Sequence, residues 1–587
     1  MKEELIKILN SVLSELAEDK NADLSDKKIT IQENKDKTHG DYASNLAMSL
    51  SKELKDSPKN IANLIISKIP QETWIKKIEV AGPGFINFFL DSTVRSEVLI
   101  AIDEQKAKYG NNSIGNNQRV LIEYVSSNPT GPLHVGHGRG AVFGSVLAKL
   151  LSATGYSVDE EYYVNDQGRQ MNILATSTWL RYLQEQGFEI KFSSKIYQGD
   201  YVIDLAKKLS EKNQGAFSVS SGEESELKEL LARQETEEDL DKLIEWSRKC
   251  LGKNFIEVKN FSLISITESI KNDLQKFGVN HTSWFNESSM YKKEGDQEPI
   301  IEKAIKLLES SNHVYKKEGA LWFKSTEFGD DKDRVVQRAN GENTYFASDI
   351  SYHLNKYERG YERIINVWGS DHHGYIPRVS AAMQALGQPK ENLEVVFIQF
   401  ANLLRDGKKV SMSTRGGEFI TLRELINEVS AEAARFFYIN RKADQHLDFD
   451  LELAKSQTKD NPLYYIQYAH ARICSVFETL EKGNKKFTPS IAKKNLNLLS
   501  LDREAEIEKM LILFPEIINR AAKSSEPHLI CYYLKDLASL FHSYYNNEKF
   551  LVEEVDLMNA RLFLLKGVKQ VLANGLSILG IEAPNSM

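Results

Sequence analysis

The chain has few cysteines for its length, three in 587 residues, and they lie far apart at Cys250, Cys474 and Cys531. No CxxC pair occurs, so the sequence gives no basis for a disulfide framework or a cysteine-rich zinc site. No apolar run approaches the roughly 20 residues that cross a bilayer. The first residues, MKEELIKILNSVLSEL, also lack the basic flank of a secretory signal. These absences predict a cytoplasmic, reduced protein with no membrane partner.

Basic charge is also scarce, because 83 acidic residues against 75 basic ones leave a net charge of −8. That balance argues against nucleic-acid binding through a global positive field. The excess is local, however, since residues 223–245 hold ten acidic and three basic residues. Outside this segment the chain is nearly neutral, so the total charge is a poor guide to the partners of the whole protein.

Residues 1–110 combine helical and strand patterns and predict a small α+β domain. Helices are expected over residues 1–20, 42–54 and 61–69, and a strand pair is expected around AGPGFINFFL. The Asn- and Gly-rich stretch at residues 109–118 is the first linker candidate.

Residues 118–430 predict a Rossmann-like α/β domain. The buried-type strand RVLIEYV precedes a glycine-rich turn, a helix and the strand YSVDEEYYVN, which together are the first unit of a parallel sheet. Residues 166–281 are mostly helical and charged, and we expect them to be an insertion. Further strands are expected at ALWFKST, VVQRAN, YFASDIS, RIINVWG and LEVVFIQF. Residues 431–587 predict an all-helical C-terminal domain, so the fold class is multidomain α/β plus α.

The most informative motif is His134-Val135-Gly136-His137, at the turn between the first strand and first helix of the α/β domain. Glycine lets a ligand approach the backbone, and a helix N-terminus offers free N–H groups and partial positive charge to an anion. Two imidazoles one turn apart can hydrogen-bond phosphate oxygens as charge develops there. The alternatives are two loop histidines without a role, and a zinc pair, although no third ligand has suggestive spacing.

This motif and its flanks resemble a known family. HVGH after a first strand is similar to the HIGH signature of class I aminoacyl-tRNA synthetases. IEYVSSNPTGPLHVGHGRGA, VNDQGRQM, WFNESSMY and NPLYYIQYAHAR together resemble arginyl-tRNA synthetases, and HGDYASNLAM, VAGPGFINFF and LGIEAPNSM extend the resemblance nearly from end to end.

The resemblance implies an ATP-dependent ligase that activates L-arginine to arginyl-adenylate and transfers it to the terminal adenosine ribose of tRNA(Arg). ATP would be used as its Mg²⁺ complex, with no tightly bound cofactor and no resident metal. The N-terminal domain would contact tRNA, and the helical C-terminal domain would bind the anticodon. We expect a monomer.

The second class I signature, KMSKS in its common form, corresponds here to KKVSMSTRGG. Only the central Met-Ser matches, and neither of the usual lysine positions holds a lysine. Because the loop must place cations on the ATP phosphates, basic residues at its edges become the candidates; a plain surface loop is the alternative. The candidate cations are Lys408, Lys409 and Arg415, and the resemblance adds Ser411, Met412 and Ser413 as further site residues of the loop.

An arginine pocket needs carboxylates, because guanidinium presents paired donors that a carboxylate accepts. Glu123 ends the first strand and Asp349 follows in the strand-like YFASD, so both are expected at the C-terminal edge of the sheet. Purely structural roles are the alternative for each. The resemblance implies that arginine is contacted by Glu123, Ser126, Asn128, His134, Tyr345, Asp349 and His372.

The resemblance also implies which residues hold ATP. NVWGSDHHGY is similar to the class I strand end that binds the ribose and adenine. A metal role for its Asp-His-His run is disfavoured, because adjacent side chains diverge on a strand. The implied ATP-binding residues are Gly131, Pro132, His134, Gly136, His137, Gly369, Asp371, Ser411 and Met412.

A basic stretch marks the C-terminal domain, where residues 455–494 carry eight basic and three acidic residues. Basic charge for phosphates with aromatic faces for bases is typical of RNA binding. The predicted tRNA-binding residues are Tyr464, Tyr468 and Arg472, and ordinary bundle core is the alternative for Tyr465 and Tyr468.

Other functions would leave different signals. Another HxGH adenylyl-transferring enzyme would be shorter and lack the helical C-terminal domain. A non-catalytic tRNA-binding relative would have lost the histidines. A synthetase of different specificity would favour zinc-type clusters or an apolar pocket over Glu123 with Asp349.

Overall fold

The computed structural model describes every residue except 1, 25, 35–36, 73, 91, 193–194, 213–214, 233–235, 294, 297, 411–419 and 484. The N-terminal elements are α1 Lys2–Lys20, β1 Ile31–Glu33, β2 Tyr42–Ser44, α2 Leu46–Ser49, α3 Ser51–Leu54, α4 Pro58–Lys68, β3 Ile75–Ala81 and β4 Phe85–Leu90. The strands form an antiparallel sheet in the order β1-β2-β4-β3. The helix predicted over residues 42–54 is wrong at its start, because β2 pairs with both β1 and β4.

The central part begins with two strands of the main sheet and is then interrupted by helices. Its first elements are α5 Ser92–Gln105, β5 Arg119–Glu123, α6 Val135–Ala153, β6 Ser157–Val164, α7 Arg169–Glu185, α8 Asp200–Lys212, α9 Ser221–Ala232, α10 Glu237–Leu251 and α11 Asn254–Lys276. Helices α7 to α11 occupy the predicted insertion and share a core that includes Trp179 and Leu243. The described residues of the acidic segment 223–245 lie on α9, on α10 and at the N-cap of α10, Thr236.

The chain then returns to the sheet. The next elements are β7 Ser283–Asn286, α12 Ile300–Ser310, β8 Val314–Lys317, β9 Ala320–Phe323, β10 Arg334–Gln337, α13 Tyr345–Glu358, β11 Arg363–Gly369, α14 Ile376–Ala385, β12 Leu393–Ile398, β13 Ala401–Arg405, β14 Lys408–Lys409, α15 Leu422–Val429, α16 Ala431–Ile439, β15 Leu447–Asp450 and α17 Leu451–Lys455. Short 3-10 helices include Glu287–Tyr291 and Ser370–Tyr375.

The main sheet is parallel and has the order β12-β11-β5-β6-β7. Successive strands run outward from β5 on one side, and the chain reaches the other side of β5 only with β11. Between β5 and β11 the order therefore reverses, and a sheet of this kind opens a ligand crevice at such a point, at the carboxyl ends of its strands. This confirms the Rossmann-like expectation and places residues after β5 beside residues after β11.

The segment YFASDIS, predicted as a strand, is the first half of helix α13. Thr344 is its N-cap and accepts from the N–H of Ala347. Phe346, Ile350 and Leu354 recur every four residues and are all buried, so the segment has the apolar spacing of a helix. Asp349 therefore does not end a strand; it reaches the crevice from α13.

The C-terminal part is helical, as expected. Its helices are α18 Pro462–Lys482, α19 Pro489–Lys494, α20 Asp502–Lys523, α21 His528–Asn547 and α22 Val555–Leu579. Among the described residues after 430, the exception to the helical prediction is β15, which pairs in parallel with β13.

One helix among the described residues, α22, is long and apolar enough to cross a membrane. Its sequence is not one unbroken apolar run, since Arg561, Lys566 and Lys569 interrupt it. Its most apolar stretch is 72% buried inside the protein, where it packs against α18, α20 and α21. Its apolar composition is accounted for by this central position in the bundle.

Candidate active site

Two cavities meet at the crevice between β5 and β11. The acidic cavity, of about 380 Å³, is lined by the carboxylates of Glu123, Glu287 and Asp349 among others. The histidine cavity, of about 440 Å³, is lined by His134 and His137. The cavities share a wall formed by Val125, Ser126, Asn128, Val367, Trp368, Gly369 and His372. Ligands in the two cavities would therefore be neighbours.

His134 and His137 form the first turn of α6. His134 is the N-cap, where its Nδ1 accepts from Gly136 N–H at 3.0 Å, and His137 Nδ1 accepts from His134 N–H at 3.2 Å. Burial lowers the pKa of both imidazoles, that of His137 to about 3, so both rings are neutral at physiological pH. Because each Nδ1 accepts, each ring carries its proton on Nε2, from which it can donate to a phosphate oxygen.

The chain returns to this turn just after residues 411–419. Val135 N–H donates to the carbonyl of Ile420 at 3.1 Å, and Leu422 N–H donates to the carbonyl of Leu133 at 2.8 Å. Residues 420–422, which follow the KMSKS-like segment in the sequence, are thus fixed beside the N-terminus of α6.

Only some of the predicted loop residues lie in the described part of the chain. Lys408 and Lys409 form the exposed strand β14, which pairs with β13. The loop residues that fall outside the described part of the chain are Ser411, Met412, Ser413 and Arg415.

Gly131 and Pro132 face the insertion rather than the histidine cavity. Gly131 packs closely against the ring of Tyr201. Pro132 lines a neighbouring cavity of about 340 Å³ together with Asp273 and Arg423. Neither of these two predicted ATP-binding residues lines the histidine cavity.

The predicted residues after β11 do reach the histidine cavity. Gly369 ends the strand, whereas Asp371 and His372 lie in the 3-10 helix Ser370–Tyr375, which corrects the expectation of a strand there. Asp371 Oδ2 and His372 Nε2 are 3.7 Å apart on largely exposed side chains. Within the described residues no group of three His, Cys, Asp or Glu side chains could hold a metal ion.

Glu123 already has a cationic partner in the acidic cavity. Its Oε2 accepts from Lys356 Nζ at 2.5 Å, and its Oε1 accepts from Ser126 Oγ at 2.8 Å. Lys356, on α13, has no exposed side-chain surface. The two opposite charges compensate each other in a desolvated setting, so Glu123 adds little net charge to the cavity.

Asp349 and Glu287 have hydroxyl partners instead. Burial raises the pKa of Asp349 to about 7. The nearby carboxylates act in the same direction, whereas a hydrogen bond from Tyr375 acts against the shift. Burial also raises the pKa of Glu287, against hydrogen bonds from Tyr163 and Ser348. Two buried carboxyl groups that resist ionisation would be stabilised as anions by a cationic ligand.

Aromatic and amide side chains complete the acidic cavity. Tyr345 lines it and is 62% exposed, so it lies at the mouth. Asn128, in the shared wall, donates to Gln170 Oε1 at 2.9 Å. The sequence interpretation missed Glu287 and Tyr163 as site residues, although Glu287 belongs to WFNESSMY, one of the segments that carried the family resemblance.

A second candidate surface lies on α18. The rings of Tyr464 and Tyr468 stack with centroids 5.9 Å apart, and the Arg472 guanidinium lies 4.9 Å from the Tyr468 ring. Tyr465 instead packs toward the core against His542, with centroids 4.4 Å apart. The bundle-core interpretation therefore fits Tyr465, whereas Tyr468 is exposed.

Family models match the chain in three consecutive blocks. The arginyl tRNA synthetase N terminal domain matches residues 3–90, the catalytic domain of class I (R) tRNA synthetases matches residues 98–457, and the DALR anticodon binding domain matches residues 466–587. The chain belongs to the arginyl-tRNA synthetase family. Membership of this family makes it an arginine–tRNA ligase, which confirms the fold class and the enzyme predicted from the sequence.

Individual relatives agree along the whole length. The arginine–tRNA ligase of Hydrogenovibrio crunogenus is 48% identical and covers 100% of both chains. That of Legionella pneumophila is 49% identical over 95% of each chain. The solved structure of Thermus thermophilus arginyl-tRNA synthetase is 22% identical, covers 100% of both chains and has a TM-score of 0.72, which shows the same fold.

Proposed function

We propose that this member of the family activates L-arginine with the Mg²⁺ complex of ATP and transfers the arginyl group to the terminal adenosine ribose of tRNA(Arg). The observation that carries the proposal is the shared wall between an acidic cavity and a cavity built on the HVGH turn. A cationic amino acid and an anionic nucleotide would meet across that wall. We further propose that the enzyme acts as a cytoplasmic monomer.

Arginine fits the acidic cavity in one direction. Its guanidinium would lie between Asp349 and Glu287, because the charge of Glu123 is already matched by Lys356. Its carboxylate must face the ATP phosphates, so the head of the molecule belongs at the shared wall. There Glu123 and Asn128 would contact the α-ammonium group, with Ser126 bonded to Glu123 in the wall behind them, and Tyr345 and His372 would flank the ligand.

ATP fits the histidine cavity with its phosphates at the N-terminus of α6. The partial positive charge of the helix and the Nε2–H groups of His134 and His137 would stabilise negative charge as it develops on the α-phosphate. Gly136 leaves room for the approach, and Gly369 and Asp371 would contact the ribose. Cations for the outer phosphates would come from the segment that holds Lys408, Lys409, Ser411, Met412, Ser413 and Arg415.

The reaction needs no nucleophile from the protein. The arginine carboxylate would attack the α-phosphorus and release pyrophosphate, and a ribose hydroxyl of tRNA would then attack the activated carbonyl. Catalysis would consist of alignment and stabilisation of phosphate charge. The surface of Tyr464, Tyr468 and Arg472 would hold the tRNA.

The direct test is aminoacylation of total tRNA with each of the twenty labelled amino acids. Incorporation of arginine alone is the expected result. Incorporation of any other amino acid in preference to arginine would overturn the assignment of specificity.

The arginine KM is expected to fall as the pH rises from 6 to 8. Guanidinium binding requires the ionised carboxylate, and burial raises the pKa of Asp349 to about 7, so at pH 6 most molecules must lose a proton to bind. Below the pKa the change approaches about tenfold per pH unit. The measurement is the arginine KM at pH 6, 7 and 8 with saturating ATP. In Asp349→Asn the slope should disappear, and persistence of the slope would contradict the assignment.

Arg472→Ala is expected to raise the KM for tRNA about tenfold while leaving the arginine KM unchanged. The side chain, which lies beside the Tyr468 ring, would supply tRNA with a phosphate contact and a stacking plane, and loss of one stacked partner weakens binding by about 1–3 kcal/mol. Steady-state aminoacylation measures both constants. Tyr532→Ala, which removes an exposed tyrosine from α21 of the same bundle, is the matched control and should leave both constants as in the wild type.

A further inference from the structure

The wall between the two cavities contains a strained turn. Val125 and Ser126 have φ of +70° and +40°, and neither is a glycine. Ser126 N–H donates to the carbonyl of Tyr124 at 3.1 Å, which closes a γ-turn around Val125 in its rare, strained form. A β-branched residue adopts such a φ only where the surroundings enforce it.

The Ser126 hydroxyl fastens this turn to two neighbouring strands. It donates to Glu123 Oε1 at 2.8 Å and accepts from the N–H of Tyr163 at 3.1 Å. Glu123 ends β5 and Tyr163 belongs to β6. The turn can therefore relax only when one of these hydrogen bonds breaks.

Lys356 holds the second oxygen of Glu123. Its Nζ donates to Glu123 Oε2 at 2.5 Å and to Asn366 Oδ1 at 2.8 Å, and it lies 4.2 Å from the centre of the Tyr352 ring. The side chain has no exposed surface and does not line either cavity. Lys356 thus acts on Glu123 from beneath the site, where it would not touch a substrate.

The same chain of hydrogen bonds continues to the helix that bears Asp349. The Asn366 amide nitrogen and His353 Nε2 are 2.7 Å apart, and His353 Nδ1 and the carbonyl oxygen of Asp349 are 2.8 Å apart. Since Nδ1 must donate to the carbonyl, Nε2 accepts from the amide, and Asn366 Oδ1 is left to accept from Lys356. Each donor meets an acceptor, so the chain has one consistent direction and links β5, β11 and α13.

We propose that Lys356 is a positioning residue for arginine activation, which acts through Glu123 and Ser126 to hold the strained turn at Val125. That turn lies where the arginine carboxylate and the ATP α-phosphate would meet, so its shape would set their alignment. The proposal rests on the proposed function, because the aligned groups belong to its two substrates. Misplacement of reacting groups by about 1 Å costs about 10²-fold in rate.

Ser126→Ala and Lys356→Met test this in arginine-dependent pyrophosphate exchange with tRNA(Arg) present. Both are expected to lower kcat about 10²-fold and to change the KM values for arginine and ATP by less than about threefold, since alignment rather than affinity is lost. Lys356→Met leaves a buried carboxylate without its partner and lowers stability. Ser126→Ala keeps the Glu123–Lys356 pair, so it carries the test if the lysine variant does not fold.

Val125→Gly in the Ser126→Ala background decides between positioning and direct contact. Glycine adopts a φ near +70° without strain, so the turn no longer needs its anchor, and kcat is expected to recover at least about tenfold. If Ser126 instead contacts the substrate, glycine restores nothing and the proposal is overturned. A wild-type kcat in Ser126→Ala would also overturn it, whereas an inactive wild-type enzyme would refute the proposed function itself.

Discussion

Replacing His137 by asparagine is expected to slow adenylate formation at least about 10²-fold while leaving the protein as stable as the wild type. His137 does two separable things in the first turn of α6. Its Nδ1 accepts from the N–H of His134, and its Nε2–H is the group we assign to the phosphate. Asparagine can supply the first acceptor with its amide oxygen but is too short to supply the second donor.

Arginine-dependent pyrophosphate exchange measures the rate, and thermal unfolding measures stability. His137→Ala should lose both functions, with the same loss of rate and about 1 kcal/mol less stability from the lost cap. His446→Asn changes an exposed histidine and serves as the surface control. A wild-type rate in His137→Asn would show that the motif stabilises the helix and has no part in the chemistry.

The turn that holds this histidine could be predicted because all its determinants are local. A buried strand, a glycine-rich turn and an apolar helix follow one another within residues 119–153 and form one βα unit. The same pattern predicted the parallel sheet, since sequential strands of this type pair. The wrong prediction of a strand at α13 has a local cause too, because aromatic residues such as Tyr345 and Phe346 favour strands. The spacing of Phe346, Ile350 and Leu354 is helical, and the segment folds as a helix.

The pairing of charged groups in and beneath the acidic cavity could not be predicted in this way. Lys356 is a residue type that is almost never fully buried unless it is paired, and its partner Glu123 is 233 positions away. Glu287 likewise takes its role from Tyr163 and Ser348 on other elements. A pattern of spacing within one element contains no information about such pairs, so sequence reasoning named Glu123 for the guanidinium and overlooked the residue that neutralises it.

Asp349→Asn is expected to raise the arginine KM at least about 10²-fold and to change the ATP KM by less than about threefold. Removal of one partner of a buried charge pair costs about 2–5 kcal/mol, and asparagine keeps the shape of the side chain while removing its charge. Glu287→Gln should act in the same direction. Asp444→Asn, at an exposed position, is the matched control and should leave both constants at wild-type values.

Citrulline separates loss of charge recognition from a general loss of binding, because it replaces the guanidinium by a neutral urea of similar shape. In the wild type its inhibition constant should exceed the arginine KM by at least about 10²-fold, as an unpaired carboxylate faces the urea. In Asp349→Asn the ratio of the citrulline inhibition constant to the arginine KM should shrink toward one, since arginine loses its carboxylate partner and citrulline has none to lose. The arginine and ATP KM values could instead rise together while the ratio of the citrulline inhibition constant to the arginine KM stays at its wild-type value. In that case Asp349 supports the shared wall and does not bind the guanidinium, and the guanidinium-binding carboxylate must be sought at Glu287.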